Sequence, residues 1–284
     1  MLSISFALLA ATLYGSADFL GGLATRRSSV MPVMIFSQLA GLVTLFLVLP
    51  FLPPAAATRA DFAWGTLAGG ALGMGLMLLY QGLATGKMSF VAPVTAVLAV
   101  VVSAMVGVVV GDRLSVAAFA GVALAIAAIT LISQDGAPGK TTGGRGPRAA
   151  HGLVAALSAG VLIGVFFAAL KQSSPSSGLL PLVSARLGAL VALAAVALSR
   201  RPPLLVGRDA VWLIVGVSAL DIFANVLYLL AARQGMLTIA ATLTSLYPAS
   251  TILLARLVLG ERLRPIQIAG LSCAGLGVVL IGVG

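Results

Sequence analysis

Two short columns of polar side chains interrupt otherwise apolar stretches of the sequence. Asp221, Asn225 and Tyr228 are spaced i, i+4 and i+7, so on a helix they share one face. Tyr14 and Asp18 repeat the i, i+4 spacing near the start of the chain. Together these side chains offer carboxylate, amide and phenol groups that could bind a solute. A buried carboxylate can also exchange a proton. We therefore interpret both columns as parts of a solute-binding site.

Each column also has a purely structural interpretation. Asp221 could pair with Arg186 on the neighbouring span, and such an ion pair would only hold helices together. Asp18 lies about two turns before Arg26 and could sit near the membrane interface. Because the columns come from different halves of the chain, we expect them to face one another across a cavity.

The predicted substrate site has four further members. They are aromatic or polar residues near breaks in apolar runs: Tyr80, Gln81, Thr244 and Tyr247. Pro248 directly follows Tyr247, and a proline inside a span bends the helix and frees a carbonyl group. The bend could be static or could serve in gating. Thr244 has a counterpart, Thr95, at the same repeat position, which favours a packing role for both threonines.

The composition excludes most soluble classes of protein. Of the 284 residues 60% are hydrophobic and 8% are charged, and the mean hydropathy is +1.15. Soluble domains carry about 25% charged residues, so lipid must be the solvent for most of this chain. Cys273 and His151 are single, which excludes an internal disulfide and a Cys/His metal site. We expect no cofactor and, because the basic residues are scattered, no nucleic-acid partner.

Apolar runs of about 20 residues, the length that crosses a bilayer, recur along the chain. Reading between charges and Pro/Gly breaks predicts spans near 2–24, 31–52, 62–83, 89–110, 115–133, 151–171, 179–198, 211–231, 237–259 and 266–283. The predicted fold is therefore an all-α integral membrane protein with ten transmembrane helices. Gly65, Gly69 and Gly73 form a small-residue ladder on the third span, which predicts close helix packing.

The chain repeats itself at an offset of 149 residues. Gly111-Asp112-Arg113-Leu114 returns as Gly260-Glu261-Arg262-Leu263, and 260 − 111 = 149. The same offset relates Pro32 to Pro181 and Arg59 to Arg208. We predict a first five-helix repeat over 2–133, a flexible linker over 134–150 and a second repeat over 151–283. Since five is odd, the second copy enters the membrane from the opposite side, giving two inverted repeats. The acidic residues of the repeated turns are expected to cap helices at the interface.

Lys and Arg residues are concentrated in the loops opposite the termini. Those loops carry Arg26, Arg27, Lys87, Lys140, Arg145, Arg148, Arg200, Arg201, Arg208, Arg262 and Arg264, whereas the terminal side carries Arg59, Arg113, Lys171 and Arg233. The positive-inside rule therefore predicts termini outside the cytoplasm.

Two segments of the sequence resemble a known family. The chain is similar to the EamA family of the drug/metabolite transporter superfamily in its Leu259-Gly260-Glu261-Arg262-Leu263 turn and in Tyr14-Gly15-Ser16-Ala17-Asp18-Phe19 of the first span. The resemblance implies alternating access through a central cavity lined mainly by spans 1, 3, 4, 6, 8 and 9. It also implies that both termini are cytoplasmic, which differs from the expectation based on the Lys/Arg distribution.

These observations leave three functions to consider. The first is a secondary transporter that exports a small polar, amino-acid-like metabolite; the second is proton-coupled efflux of organic cations or drugs, which an Arg186 close to either acid would weaken. The third, a membrane enzyme, is disfavoured because the sequence has no His cluster, no Ser/His/Asp set and no phosphate-binding loop. The expected partners are the solute, the lipid bilayer and, in the second case, protons. We expect a multi-pass protein of the cell membrane, monomeric or weakly homodimeric.

Overall fold

The computed structural model describes residues 2–51, 54–110, 115–136, 147–201, 204–234, 244 and 246–283. Within these ranges the chain forms ten α-helices, two single-turn 3-10 helices (Leu49–Phe51 and Pro175–Ser177) and no strand. The helices are α1 (Leu2–Arg27), α2 (Val30–Val48), α3 (Arg59–Thr85), α4 (Met88–Val110), α5 (Val116–Gly136), α6 (Pro147–Lys171), α7 (Leu180–Arg200), α8 (Arg208–Gln234), α9 (Pro248–Leu259) and α10 (Pro265–Val283).

The helices present an apolar outer surface suited to lipid. Six stretches in the described part of the chain are long and apolar enough to cross a membrane: Ile4–Arg27, Val30–Phe51, Arg59–Thr85, Gly152–Leu170, Leu180–Arg200 and Ala210–Tyr228. The remaining four helices contain shorter apolar segments of 10–17 residues. Large apolar side chains such as Trp212 and Leu198 are 79% and 78% exposed. Exposing such apolar surface is unfavourable in water and is not unfavourable in lipid. The protein is an integral, multi-pass membrane protein.

The helix ends recur with the offset found in the sequence. Shifting α3 by 149 residues gives 59 + 149 = 208 and 85 + 149 = 234, which are the first and last residues of α8. The end of α4 shifts onto the end of α9 (110 + 149 = 259), and the start of α5 onto the start of α10 (116 + 149 = 265). Similar sequences in the two halves therefore begin and end helices at equivalent places.

The predicted linker is shorter than expected. Helix α5 continues through Gln134, Asp135 and Gly136, and α6 already begins at Pro147. A proline at the first position of a helix costs no hydrogen bond, since that N–H has no partner within the helix. The helices therefore extend a few residues into the range 134–150 that the sequence predicts as a linker. Residues 137–146 lie outside the described residues, as does the predicted turn at 111–114.

The helical backbone is interrupted immediately before Pro248. This proline is the first residue of α9, and the backbone at Leu246 and Tyr247 forms a turn. The Thr244 carbonyl, which a proline four residues later cannot bond, accepts the Tyr247 N–H at 3.1 Å. Thr244 before this turn is helical, so the described backbone breaks at the place where the sequence predicted a bend. Residues 237–243 and 245 of that span lie outside the described residues.

Helices from opposite halves of the chain pack against each other. Helix α1 lies along α8, and α3 lies between α6 and α7. Helix α4 packs along α6, and α5 along α10. Since the offset of 149 relates α1 to α6 and α3 to α8, the pairs α1–α8 and α3–α6 are equivalent. Each half thus places its first helix against the third helix of the other.

The glycine ladder on α3 allows α7 to approach its backbone. A side chain at Gly69 would collide with the backbone of Ala185, and a Cβ atom at Gly73 would lie 2.9 Å from the Cβ of Ala189. Gly65 faces α7 in the same way. The predicted packing role of the ladder is confirmed.

Glu261 caps a helix of the other half of the chain. It follows Gly260, whose φ of +67° ends α9 in the left-handed conformation that glycine tolerates. The Glu261 carboxylate accepts the backbone N–H groups of Met88 and Ser89 at 3.1 and 3.0 Å and the Ser89 hydroxyl at 2.7 Å. These groups form the N-terminus of α4, which attracts negative charge. The capping role is confirmed, and it joins the two halves at one membrane face.

Candidate functional site

The two polar columns meet where α1 packs along α8. Asp18 on α1 interacts electrostatically with Asp221 on α8. Tyr14 on α1 interacts with both Asp221 and Tyr228. The expectation that the columns of the two halves face one another agrees with this geometry. Two carboxylates inside apolar spans thus share one polar region, which needs either compensating charge or water.

Arg186 of α7 supplies compensating charge to one of the two acids. One terminal nitrogen of its guanidinium forms an ion pair with the Asp221 carboxylate. The other terminal nitrogen donates to Oε1 of Gln38 on α2 at 2.6 Å. The side chains of Arg186 and Asp221 are 13% and 26% exposed, so the pair is only partly open. Of the two interpretations of Asp221, the structure contains the ion pair, and it links α2, α7 and α8.

Gly41 on α2 makes room for the guanidinium. A Cβ atom at this position would lie 3.2 Å from the Cζ atom of Arg186. The nearby Ser218 hydroxyl on α8 donates to the Ser37 carbonyl on α2 at 3.2 Å. Helix α2 therefore packs beside the charged pair, against both α7 and α8.

Asp18 has no such partner. Its side chain is buried, with 9% of the residue exposed. Among the described residues its carboxylate makes no hydrogen bond and no ion pair. A buried carboxylate without a partner carries a large desolvation cost as an anion, which a proton or a bound positively charged or hydrogen-bond-donating group would relieve.

All four tyrosines of the chain belong to this region. Tyr80 and Tyr247 both interact electrostatically with Asp18. The Tyr80 ring packs against Gly21, one turn after Asp18 on the same face of α1. The carbonyl of Tyr80 accepts the Thr25 hydroxyl at 3.2 Å, which fixes α3 against α1. Tyrosines from α1, α3, α8 and the start of α9 therefore lie in the same region as the two acids.

The other predicted site residues are placed less directly. The Asn225 amide donates to the Asp221 carbonyl of its own helix at 2.7 Å, so part of its polarity is used within α8. Gln81 is half-buried and follows Tyr80, and consecutive helical residues point about 100° apart. It therefore does not share the direction of Tyr80.

Thr244 fastens helices together. Its hydroxyl is buried and donates to the Ala7 carbonyl on α1 at 3.4 Å. Thr95 on α4 donates to the Ala156 carbonyl on α6 at 3.1 Å. Both donors and both acceptors are related by the same offset, since 244 − 95 = 149 and 156 − 7 = 149. The packing role expected for this pair is supported, and Thr244 lies apart from the polar columns.

Gln38 is the site residue that the sequence argument missed. Its counterpart at the offset of 149 is Leu187, so a polar residue replaces an apolar one in the middle of an apolar helix. A comparison of the two copies at this offset finds Gln38, as it finds Asp18 opposite Phe167 and Arg186 opposite Ser37.

A groove lies elsewhere in the described structure, away from the polar columns. Its volume is about 690 Å³, and it follows the outer face of α3. It is lined by Phe62, Ala63, Thr66, Leu67, Gly70 and Ala71. The lining residues are mostly apolar, and none of them is charged. The groove therefore suits contact with lipid, and the polar region remains the candidate site for a solute.

Comparison with known proteins agrees with this architecture. Residues 150–283 match the model of the EamA-like transporter family. The resemblance to EamA transporters is confirmed. The EamA match indicates a membrane transporter of small molecules and points away from an enzyme. No curated protein matches the sequence.

Among solved structures, one crystal structure aligns with 95% of this chain and 95% of its own chain, with a TM-score of 0.60 and 15% sequence identity. At this identity the similarity shows that the two chains share a fold, and it gives no information about the solute.

Proposed function

We propose that the protein is a secondary transporter that exports a small polar, amino-acid-like metabolite across the cell membrane. Transport would occur by alternating access through a central cavity between two inverted five-helix repeats. The observation that carries this proposal is the polar region formed by helices of both halves, because charged groups inside apolar spans are costly unless they serve a solute or an ion.

The repeated contacts support the inverted architecture. The bonds Thr95 to Ala156 and Thr244 to Ala7 are copies of one contact, made once in each direction between the halves. The coincident ends of α3 and α8 support the same relation. Because each copy has five helices, equivalent loops of the two copies would lie on opposite sides of the membrane.

Labelling of two engineered cysteines tests the inverted topology. Ser29 and Ser176 are exposed and lie in the equivalent α1–α2 and α6–α7 connections. In a Cys273→Ser background, Ser29→Cys and Ser176→Cys should react with a membrane-impermeant maleimide from opposite sides of sealed vesicles. Labelling of both from one side would contradict the inverted repeats, and the reactive side also decides where the termini lie.

Counterflow in proteoliposomes tests transport itself. Vesicles containing purified protein are loaded with an unlabelled mixture of amino acids, amines and small organic acids, and uptake of each labelled solute is followed. We expect saturable exchange of at least one solute. If none exchanges above protein-free vesicles, with or without a pH gradient, while the protein remains folded, the transport function is wrong.

A further inference from the structure

We propose that Arg26 is a latch that holds the transporter closed at one membrane face, the face where α1 and α3 end and α4 begins. The latch acts within the proposed alternating access, on which the inference rests. It follows from the contacts of a single guanidinium nitrogen, and from the residue that occupies the equivalent position in the other half of the chain.

Helices α1 and α3 are in direct contact between the polar region and this face. About 12 Å of helix separate Asp18 from Arg26 along α1, at a rise of about 1.5 Å per residue. Between them, a Cβ atom at Gly22 would lie 2.8 Å from the Cβ of Leu83, so the α1 backbone lies against the end of α3. The Thr25 hydroxyl donates to an α3 carbonyl at 3.2 Å. A solute that passes between these two helices at this face therefore requires that they separate.

One nitrogen of Arg26 joins three segments of the chain at this face. Its Nη2 atom donates to the carbonyls of Leu83 and Gly86, at the end of α3, at 3.0 and 3.2 Å. The same nitrogen lies 4.0 Å from Oε1 of Glu261, whose carboxylate caps the N-terminus of α4. The C-terminal carbonyls of a helix attract cations and its N-terminal N–H groups attract anions, so the two charges hold the α3–α4 connection from both sides. Because the last turn of α1 carries the guanidinium, these contacts require α1 to lie against α3.

The equivalent position of the other half carries no cation. At the offset of 149, Arg26 corresponds to Pro175, in the connection between α6 and α7 that an inverted repeat places at the opposite face. The acid at the end of α9 recurs in the first half as Asp112, which lies outside the described residues. In an inverted repeat the two access states exchange the environments of the two halves, so a contact that one half makes alone favours one state. Removing Arg26 therefore takes free energy only from the state in which α1 contacts α3.

Cysteine accessibility tests the latch and does not require that the solute be known. In a Cys273→Ser background, Thr25→Cys places a thiol between α1 and α3, where the native residue is 8% exposed. Ser184→Cys, at a buried position near the start of α7, reports any general loosening of the fold. The rate of reaction with N-ethylmaleimide is measured for each reporter in proteoliposomes, with and without Arg26→Gln. Arg27→Gln, which changes the neighbouring exposed arginine, is the control.

We expect Arg26→Gln to raise the labelling rate of Thr25→Cys about fivefold or more, because hydrogen bonds from a charged group are lost from the closed state alone. The rate at Ser184→Cys, and both rates in Arg27→Gln, should stay within about twofold of those in the native background. Arg26→Lys should label more slowly than Arg26→Gln, since one terminal nitrogen makes all the contacts of Arg26 and an ammonium group has three donors to replace it.

Unchanged labelling of Thr25→Cys in Arg26→Gln would overturn the inference and leave the transport function standing. Equal increases at both reporters would overturn it as well, because Arg26 would then stabilise the fold and not one access state. Counterflow of the same panel of amino acids, amines and small organic acids is measured with the Arg26→Gln protein. Faster labelling of Thr25→Cys alone, without counterflow of any solute by the native protein, would support the latch and count against transport.

Discussion

The two intramembrane carboxylates differ in their surroundings although they occupy similar columns. Asp221 on α8 is paired with Arg186 and, through it, connected to Gln38. Asp18 on α1 has no polar partner among the described residues. Spacing along a helix identifies its polar face. Whether a charge on that face is paired depends on a third helix, here α7 with its arginine.

The difference originates in how the two halves have diverged. At the offset of 149, Asp18 corresponds to Phe167, and Arg186 corresponds to Ser37. The first half therefore carries an acid without the arginine, and the second half carries the arginine on α7. Because the halves interlock, the arginine of the second half pairs with an acid of its own half and leaves the acid of the first half unmatched.

Removing Arg186 should give the largest loss of stability. Arg186→Met leaves Asp221 charged and only partly exposed, and breaking a fully buried pair costs about 3–5 kcal/mol, which is an upper bound for this one. We expect a clear drop in the thermal unfolding midpoint of the purified protein in detergent. Arg27→Met, which removes an exposed arginine at the end of α1, is the control and should change the midpoint little.

A double variant sharpens this result. Arg186→Met combined with Asp221→Leu removes both charges, and replacing a buried pair by apolar residues is often neutral. We expect it to recover most of the stability lost in the single variant. A double variant as unstable as Arg186→Met would mean that packing around α7, and not the unpaired acid, caused the loss.

Gln38 should contribute less than the arginine it supports. Gln38→Leu removes one acceptor from the guanidinium, and hydrogen bonds to charged groups contribute about 1.5–3 kcal/mol. The unfolding midpoint should fall between those of the native protein and Arg186→Met. Gln172→Leu, at an exposed position after α6, controls for the change of residue type. Equal midpoints for Gln38→Leu and the native protein would remove Gln38 from the charged cluster.

Much of this arrangement could be predicted from the sequence. Apolar runs located the helices, and the offset of 149 anticipated the matching ends of α3 and α8. Spacing alone placed Tyr14 with Asp18 and Asp221 with Tyr228, since helix geometry fixes which residues share a face.

Other features depend on three-dimensional packing. Whether Asp221 pairs with Arg186 depends on the rotation of α7 against α8. The apolar residues of both helices are compatible with several such rotations. The sequence could not decide the form of the break at Pro248 for a related reason, because a proline can bend a helix or begin one and the surrounding apolar run is the same in both cases. The partnership of Gln38 with Arg186 joins residues 148 positions apart, so no local pattern reveals it.

Neutralising Asp18 should have the smallest effect on stability, and that is the sharpest contrast with Asp221. Asp18→Asn breaks no hydrogen bond or ion pair with a described residue, and it removes a charge from a buried position. We therefore expect an unfolding midpoint equal to or slightly above that of the native protein, together with the loss of solute counterflow. If Asp18→Asn lowered the midpoint as far as Arg186→Met, Asp18 would be a structural acid like Asp221. A stable variant that no longer exchanges solute would instead assign the two acids of this EamA-like protein to different tasks, one in holding helices and one in holding the solute.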